Sequence, residues 1–318
     1  MKPYLIVNPR SGAGRTGKRF DRIARAVRAA VGEFECAFTR APGDGARLAR
    51  EAARAGGGLV VAVGGDGTAS EVVDGLAPDA GGGGGAGREV RPLFGFIPQG
   101  TGSDLRKSLG IPEDLEEAAR WLAGDAERVC DLGRLEYTGH GGGVEVRHFA
   151  NVAGFGISGV VDQEVNRGVG VAFGHGKLAF MLASAKALLG WKDQRVRWRA
   201  DGGSWTESAV TALSVCNGRV FGGGMQVAPG ARLDDGVFDV VVWSGLGLRD
   251  FVTKKRMLYD GTHLALPNTR LLRATTLEAE PLGDAPVLLD VDGEQPGRLP
   301  ARFTIRPGAL RVRVRPGL

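Results

Sequence analysis

Five stretches of the chain set glycines beside hydroxyl or carboxyl side chains: NPRSGAGRTGK (8–18), GGDGT (64–68), PQGTGSD (98–104), LDDG (233–236) and DGE (292–294). The first three have the makings of phosphate cradles. Glycine lets the backbone bend tightly and approach an anion with no Cβ in the way. A helix starting just behind aims unpaired N–H groups at that anion. GAGRTGK satisfies two phosphate motifs at once, Gly12-x-Gly14-x-x-Gly17 and Gly12-x-x-x-x-Gly17-Lys18. The second, a Walker A loop, fails at Arg19, which stands where a hydroxyl would bind Mg2+. The first, a dinucleotide fingerprint, fails after the next strand, where Thr39-Arg40 replaces the ribose-binding acid. An NADP-binding variant built on Arg40 stays as a rival.

The carboxylates ask for a different chemistry. Asp66, inside GGDGT, would repel a phosphate unless a metal ion or a proton in transfer lay between them. Thr68 and Glu71 also fit a T-x-x-E capping box, a purely structural role. LDDG puts two acids at a glycine turn. That is equally a tight turn between strands and a site for a hard cation, which takes carboxylate and carbonyl oxygens. Asp292-Gly293 is a strong hairpin signal by itself, and Glu294 stands at its exit.

The hydrophobic pattern says what must hold these loops. Tyr4–Val7 reads as a strand and Arg15–Val31 as an amphipathic helix, with Phe20, Ile23, Val27 and Ala30 on one face. Strand Glu33–Thr39 and helix Asp44–Ala55 follow. Gly58–Val63 is continuously apolar, as the centre of a parallel sheet covered on both faces should be. A helix from Thr68 to about Leu76, a glycine tract (79–89) read as a surface loop, and strand Pro92–Pro98 complete the run. Repeated β–α–β units imply right-handed crossovers and a doubly wound α/β sheet. Ligands of such sheets bind at the carboxyl ends of the strands, where NPRSG, GGDGT and PQGTGSD all fall.

After Asp131 the texture becomes strand-rich. Arg134–Thr138, Val144–Val152, Val196–Ala200, Ser208–Cys216, Val237–Trp243, Leu271–Ala279, Val287–Val291 and Arg302–Ile305 read as strands between Gly, Pro and Asp turns. Helical segments are expected near 157–167, 175–190 and 248–258. The expectation is an α/β N-terminal domain over 1–132 and an antiparallel β-sandwich with helical insertions over 133–306. Residues 307–318 could return to the first domain.

Composition narrows the class without choosing a ligand. A hydrophobic fraction of 43% is enough for two ordinary cores, and a formal charge of +5 suits an anionic partner: nucleotide, membrane surface or nucleic acid. Arg15, Lys18, Arg22 and Arg25 read as a solvated helix face. Cys36, Cys130 and Cys216 form no C-x-x-C and read as reduced, mostly buried thiols of a cytoplasmic protein. No basic-then-apolar leader opens the chain, and no apolar run reaches the ~18 residues of a spanning helix. The nearest, KLAFMLASAKALLGW (177–191), carries Lys186 within it. Membrane contact is therefore expected to be peripheral.

With NPRSG, GGDGT and GTGSD in order, the chain resembles the catalytic family of diacylglycerol kinases, which includes bacterial diacylglycerol and phosphatidylglycerol kinases, sphingosine kinases and ceramide kinases. The resemblance continues through NVAGFG (151–156), CNGRVFGGGMQVAPGARLDDGVFDV (216–240) and DGE (292–294). It thus spans nearly the whole chain and reaches a segment that the related NAD kinases lack. One departure is Ser103, where members of the family often have Asn.

The resemblance implies an NAD kinase-like first domain, ATP and Mg2+ as cofactors, and a lipid alcohol, above all diacylglycerol, as acceptor. It implies ATP contacts at Asn8, Pro9, Arg10, Ser11, Gly12, Thr39, Gly65, Asp66, Gly67, Thr68, Ala69, Ser70, Glu71 and Thr101. It implies a structural Mg2+ on the Asp235 side chain and the carbonyls of Arg232 and Val237. Glu294 would be the base that activates the lipid hydroxyl, with Asp66, Asp104 and Asp131 as an assisting carboxylate group. Phe155, Val160, Phe173, Leu178, Phe180, Met181, Leu188 and Trp191 mark the region of a lipid pocket. The partners expected are a lipid substrate and an anionic membrane surface, with no nucleic acid; a homodimer is allowed. A kinase of the NAD kinase type and a non-catalytic lipid-binding homologue are the other rivals.

Overall fold

The computed structural model describes residues 2–78, 92–100, 102, 104–164 and 177–315. The glycine tract 79–89, Thr101, Ser103 and Phe173 lie outside them. The chain forms two compact units, Met1–Leu132 with Gly308–Leu318, and Gly133–Pro307.

In the first unit, strands β1 (Tyr4–Val7), β2 (Glu35–Phe38), β3 (Leu59–Gly64) and β4 (Leu93–Pro98) form a parallel sheet in the order β2-β1-β3-β4. Arg311 and Val312 add a parallel strand beside Leu93 and Phe94. All residues of β3 and β4 are buried, as their unbroken apolar runs require. Helices α1 (Arg15–Lys18), α2 (Phe20–Val31), α3 (Asp44–Arg54), α4 (Asp66–Leu76), α5 (Asp104–Leu109) and α6 (Leu115–Ala123) connect the strands. Ile23 and Val27 of α2, with Leu115 and Leu122 of α6, pack on Leu5, Val7, Val61 and Val63. Helices α3 and α4 pack on β1 and β3.

Two local expectations are corrected. The helix expected over 15–31 breaks at Arg19, whose backbone (φ −106°, ψ 7°) leaves the helical basin. The first turn is tied down instead: Gly17 donates to the Pro9 carbonyl, and a Cβ there would lie 3.0 Å from the same oxygen. The capping box is not formed. Helix α4 begins at Asp66 with Gly65 as its cap, and Glu71 accepts the N–H groups of Gly43 (2.7 Å) and Gly45 (2.8 Å).

The second unit is built from β5 (Glu127–Gly139), β6 (Val144–Phe149), β7 (Val152–Gly156), α7 (Ile157–Glu164), α8 (Lys177–Leu188), β8 (Gln194–Ala200), β9 (Thr206–Val210), β10 (Ala212–Cys216), β11 (Phe238–Trp243), α9 (Leu248–Asp260), β12 (Thr269–Ala274), β13 (Thr276–Pro281), β14 (Leu289–Val291) and β15 (Gly297–Arg313). Strands β5 and β15 begin or end in the first unit. One antiparallel sheet runs β12-β11-β10-β7-β14; facing it, β15, β13, β8 and β9 pair in order, and β5 pairs with β6. Phe149, Phe155, Trp198, Phe238 and Phe303 fill the space between the layers.

Strands β7, β10 and β11 of the five-stranded sheet are buried on the other face too. Val152, Cys216, Val241 and Trp243 face Met225, Val227 and the partly buried Leu246, Leu258 and Leu264. Both faces of β10 and β11 are therefore apolar. Two segments expected as single strands, Ser208–Cys216 and Leu271–Ala279, each divide at a threonine. At Thr211 and Thr275 the chain leaves one sheet and joins the other, making the corners of the sandwich.

Candidate active site

Three loops leave the carboxyl ends of β1, β3 and β4 in the first unit and lock together through backbone and short side chains. Asn8 donates from Nδ2 to the Thr68 hydroxyl (3.0 Å), and its Oδ1 accepts the Arg10 N–H (3.0 Å). The Ser11 and Thr16 hydroxyls are 2.6 Å apart. Gly12 adopts φ +59°, and a Cβ there would meet the Gln99 carbonyl at 2.6 Å. Gln99 in turn donates its N–H to the Gly64 carbonyl at 2.6 Å. A Cβ on Gly100 would lie 2.5 Å from the Gly65 Cα. The glycines are thus required by contact between backbones, independently of any ligand. Gly67, Ala69 and Ser70 lie in the first turns of α4, and Thr39 donates its N–H to Val7 at the end of β2. The N-terminus of α4, an eleven-residue helix, opens where these loops meet, which suits an anion.

The structure joins two of the three acids expected to act together. Asp66 accepts the N–H groups of Asp104 (3.0 Å) and Leu105 (3.3 Å), so its carboxylate starts α5. Asp104 is buried and paired with Lys107 at 2.8 Å. Asp131, 3% exposed, accepts the Gly308 N–H at 2.8 Å and anchors the returning chain.

In the second unit, DGE is a two-residue hairpin. Val291 donates to the Glu294 carbonyl (2.8 Å) and Glu294 back to Val291 (3.1 Å). Asp292 (φ 50°) and Gly293 (φ 86°) both take the left-handed conformation that such turns demand. The Asp292 carboxylate accepts the Val152 (3.0 Å) and Ala150 (3.4 Å) N–H groups. Burial pushes it up to about 6, against the lowering pull of those bonds and of Arg147. Glu294, at the exit, receives Arg147 at 2.6 Å. Arg147 and the buried acids Asp162 and Asp290 are missed by sequence reasoning. The acid inside the apolar run VLLDV was the one local signal.

At LDDG, Asp235 pairs with Arg273, which also reaches Asp239 at 3.2 Å. The other carboxylate oxygen of Asp235 is buried without a hydrogen-bond partner. The orphaned, buried oxygen can serve as one ligand of a hard cation, but Arg273 already pairs with the same carboxylate, and among the described residues no group of three or more His, Cys, Asp or Glu side chains could hold a metal ion. A Mg2+ here would therefore have to take its remaining ligands from backbone carbonyls.

On the second face of the five-stranded sheet, α7, α8, α9 and the 3-10 turn Thr262–Ala265 leave a cavity of about 140 Å3. Val161, Ala212, Met225, Val227, Trp243 and Leu266 are among its walls. Of the pocket residues expected from sequence, Leu188 lines it. Phe155 instead faces the sandwich core, because its side of β7 points between the sheets. Val160 and Trp191 are not among its walls, and the side chains of Leu178, Phe180 and Met181 lie outside those described. Among the described residues, no helix is long and apolar enough to cross a membrane.

Comparison with known proteins bears on the fold and the family. Residues 2–135 match the diacylglycerol kinase catalytic domain, and residues 151–314 match the YegS C-terminal NAD kinase beta sandwich-like domain. The chain is 29% identical to the diacylglycerol kinase of Bacillus subtilis (strain 168), covering 94% of this chain and 91% of that one. It is 30% identical to the Stenotrophomonas maltophilia (strain K279a) protein named Probable lipid kinase YegS-like, covering 90% and 88%. A crystal structure from Bacillus anthracis str. Sterne, of a protein assigned to the diacylglycerol kinases, superposes with TM-score 0.76 at 25% identity, over 99% of this chain and 95% of that one. The chain belongs to the diacylglycerol kinase catalytic family, within the NAD kinase-like superfamily, and is a lipid kinase.

Proposed function

We propose that this lipid kinase transfers the γ-phosphoryl group of ATP to the free hydroxyl of diacylglycerol. The observation that carries the reading is the apolar cavity walled by Val161, Ala212, Met225, Val227, Trp243 and Leu266. A soluble, highly charged acceptor of the NAD kinase kind gains nothing from such a lining, whereas burying hydrocarbon there gains about 25 cal/mol per Å2. The similarity to a Bacillus subtilis diacylglycerol kinase supports the choice of acceptor.

Phosphoryl transfer needs positioning, charge neutralisation and a base. The triphosphate would lie against Asn8–Gly12, Thr39 and Gly65–Glu71, where the backbone N–H groups at the start of α4 would meet its anionic oxygens. The Asp66 carboxylate holds the start of α5 in place by accepting the Asp104 N–H. Glu294, oriented by Arg147, takes the proton of the lipid hydroxyl as that oxygen bonds to the γ-phosphorus. The bond to the β-phosphate oxygen breaks and ADP leaves. Mg2+ supplies charge neutralisation when bound; in the second unit Asp235, with the Arg232 and Val237 carbonyls, would hold one ion in a structural role.

Peripheral contact with an anionic membrane surface belongs to the same reading. Helix α9 lines the cavity with Lys254 and Leu258, and exposes Arg249, Val252, Lys255 and Arg256 on other sides. The test is incubation with labelled ATP, Mg2+ and a panel of lipid alcohols in micelles, then resolution of the products. Labelled phosphatidic acid is expected. Label appearing only in a soluble product would refute the reading.

A further inference from the structure

The hairpin that carries Glu294 rests on a pair of buried acids. Asp290 of β14 and Asp162 of α7 are 2% and 4% exposed. Asp290 accepts the N–H of Gly293, in the middle of the turn, at 3.1 Å. Asp162 is hydrogen-bonded to Asp290, while its Oδ2 is buried without a partner. Helix α7 is pressed onto the start of the hairpin: a Cβ on Gly159 would lie 2.7 Å from the Leu288 carbonyl. The same helix lines the cavity through Ile157, Ser158 and Val161.

Two carboxylates in contact away from water cannot both carry a charge. Burial, then mutual repulsion, pushes Asp162 well up; burial pushes Asp290 up to about 6. The neighbours do little to relieve them. Glu294 adds repulsion on Asp162, the Ser158 hydroxyl is close enough to Asp290 to pull it only partly back down, and Asp292 lies near Asp290. Arg147 is engaged by Glu294 and Asp292; Lys186 on α8 is engaged by Glu164 of α7; the buried Cys216 thiol on β10 is itself pushed up. Near neutral pH the pair therefore holds one proton. The geometry favours Asp162 as its carrier, since Asp290 already accepts from Gly293 while the second oxygen of Asp162 has no partner.

We propose that Asp162, through one proton shared with Asp290, is a positioning residue for the DGE hairpin and hence for Glu294. It ties the helix that walls the cavity to the turn that presents the base. The proposal rests on Glu294 being that base.

The sign of the pH dependence follows from the raised values. The stability given by the pair is complete below the unfolded carboxyl range, about pH 4, and is lost as pH rises through about 6 and beyond. Asp162→Asn keeps a donor toward Asp290 but cannot ionise. Thermal stability measured from pH 4 to 9 should fall less steeply with rising pH in Asp162→Asn than in the wild type, a readout that needs no lipid. The alkaline loss of kcat on diacylglycerol should move up or vanish in the same variant. Asp162→Leu, which leaves Asp290 without its donor, should lower kcat at least ~10-fold with KM for ATP unchanged. If the Leu variant does not fold, the Asn variant carries both measurements. Unchanged pH dependence of stability and kcat in Asp162→Asn would overturn the proposal. Turnover retained by Glu294→Gln would remove the base reading alone: a stability profile that still responds to Asp162→Asn would leave the tie between α7 and the hairpin standing, and one that does not respond would remove that tie as well.

Discussion

At the phosphate loops a Cβ on Gly100 would lie 2.5 Å from the Gly65 backbone, whereas the DGE hairpin is held by carboxylates, with Asp290 on Gly293 and Asp292 on Val152. The first region is shaped by close contact between backbones and, in the proposed reading, would bind through main-chain N–H groups. The second is shaped by buried charge and, in the same reading, would work through one side chain. Their failures should therefore differ in kind: added bulk in the first region should cost nucleotide binding, and lost charge in the second should cost chemistry.

The largest effect is expected at Glu294. Glu294→Gln keeps the size of the side chain but cannot accept a proton at neutral pH, so kcat should fall ~10²–10⁴-fold, read in a single-turnover assay. A variant within a few-fold of wild type, with chemistry rate-limiting, would leave only the turn role. Next comes Gly100→Ala, whose new Cβ must displace the Gly65 backbone. A displacement of this kind should cut kcat/KM for ATP on the order of 10²-fold while the protein stays folded by circular dichroism.

A smaller effect is expected in the cavity. Ala212→Leu should raise KM several-fold for long-chain diacylglycerol and less for short-chain substrates, the added methylenes costing ~1–3 kcal/mol in packing. Equal effects at all chain lengths would place the acyl chain elsewhere. Smallest is Asp235→Ala. Losing a partly exposed ion pair should lower stability by ~1 kcal/mol, or ~2–4 °C in Tm, and activity a few-fold. ATP affinity should stay intact. Unchanged activity with Mg·ATP and unchanged Tm in this variant would deny the metal a structural role.

Much of this division is legible in the sequence, because both regions use local signals. Glycines at strand ends and the Asp292-Gly293 turn are written in consecutive residues. What escapes is set by partners far along the chain. Glu71 fits a capping box locally, yet two N–H groups 26 and 28 residues away claim its carboxylate. The strand-like pattern runs straight through Thr211 and Thr275; only the pairing shows that the chain changes sheet there. Asp162 and Asp290 are separate acids in apolar runs until α7 meets β14. Arg147 is an ordinary strand residue until Glu294 reaches it.

Thermal protection by Mg·ATP, compared across wild type, Glu294→Gln and Gly100→Ala, tests the division most directly. Full protection in Glu294→Gln and its loss in Gly100→Ala are expected. Loss of protection in Glu294→Gln with protection kept in Gly100→Ala would contradict it.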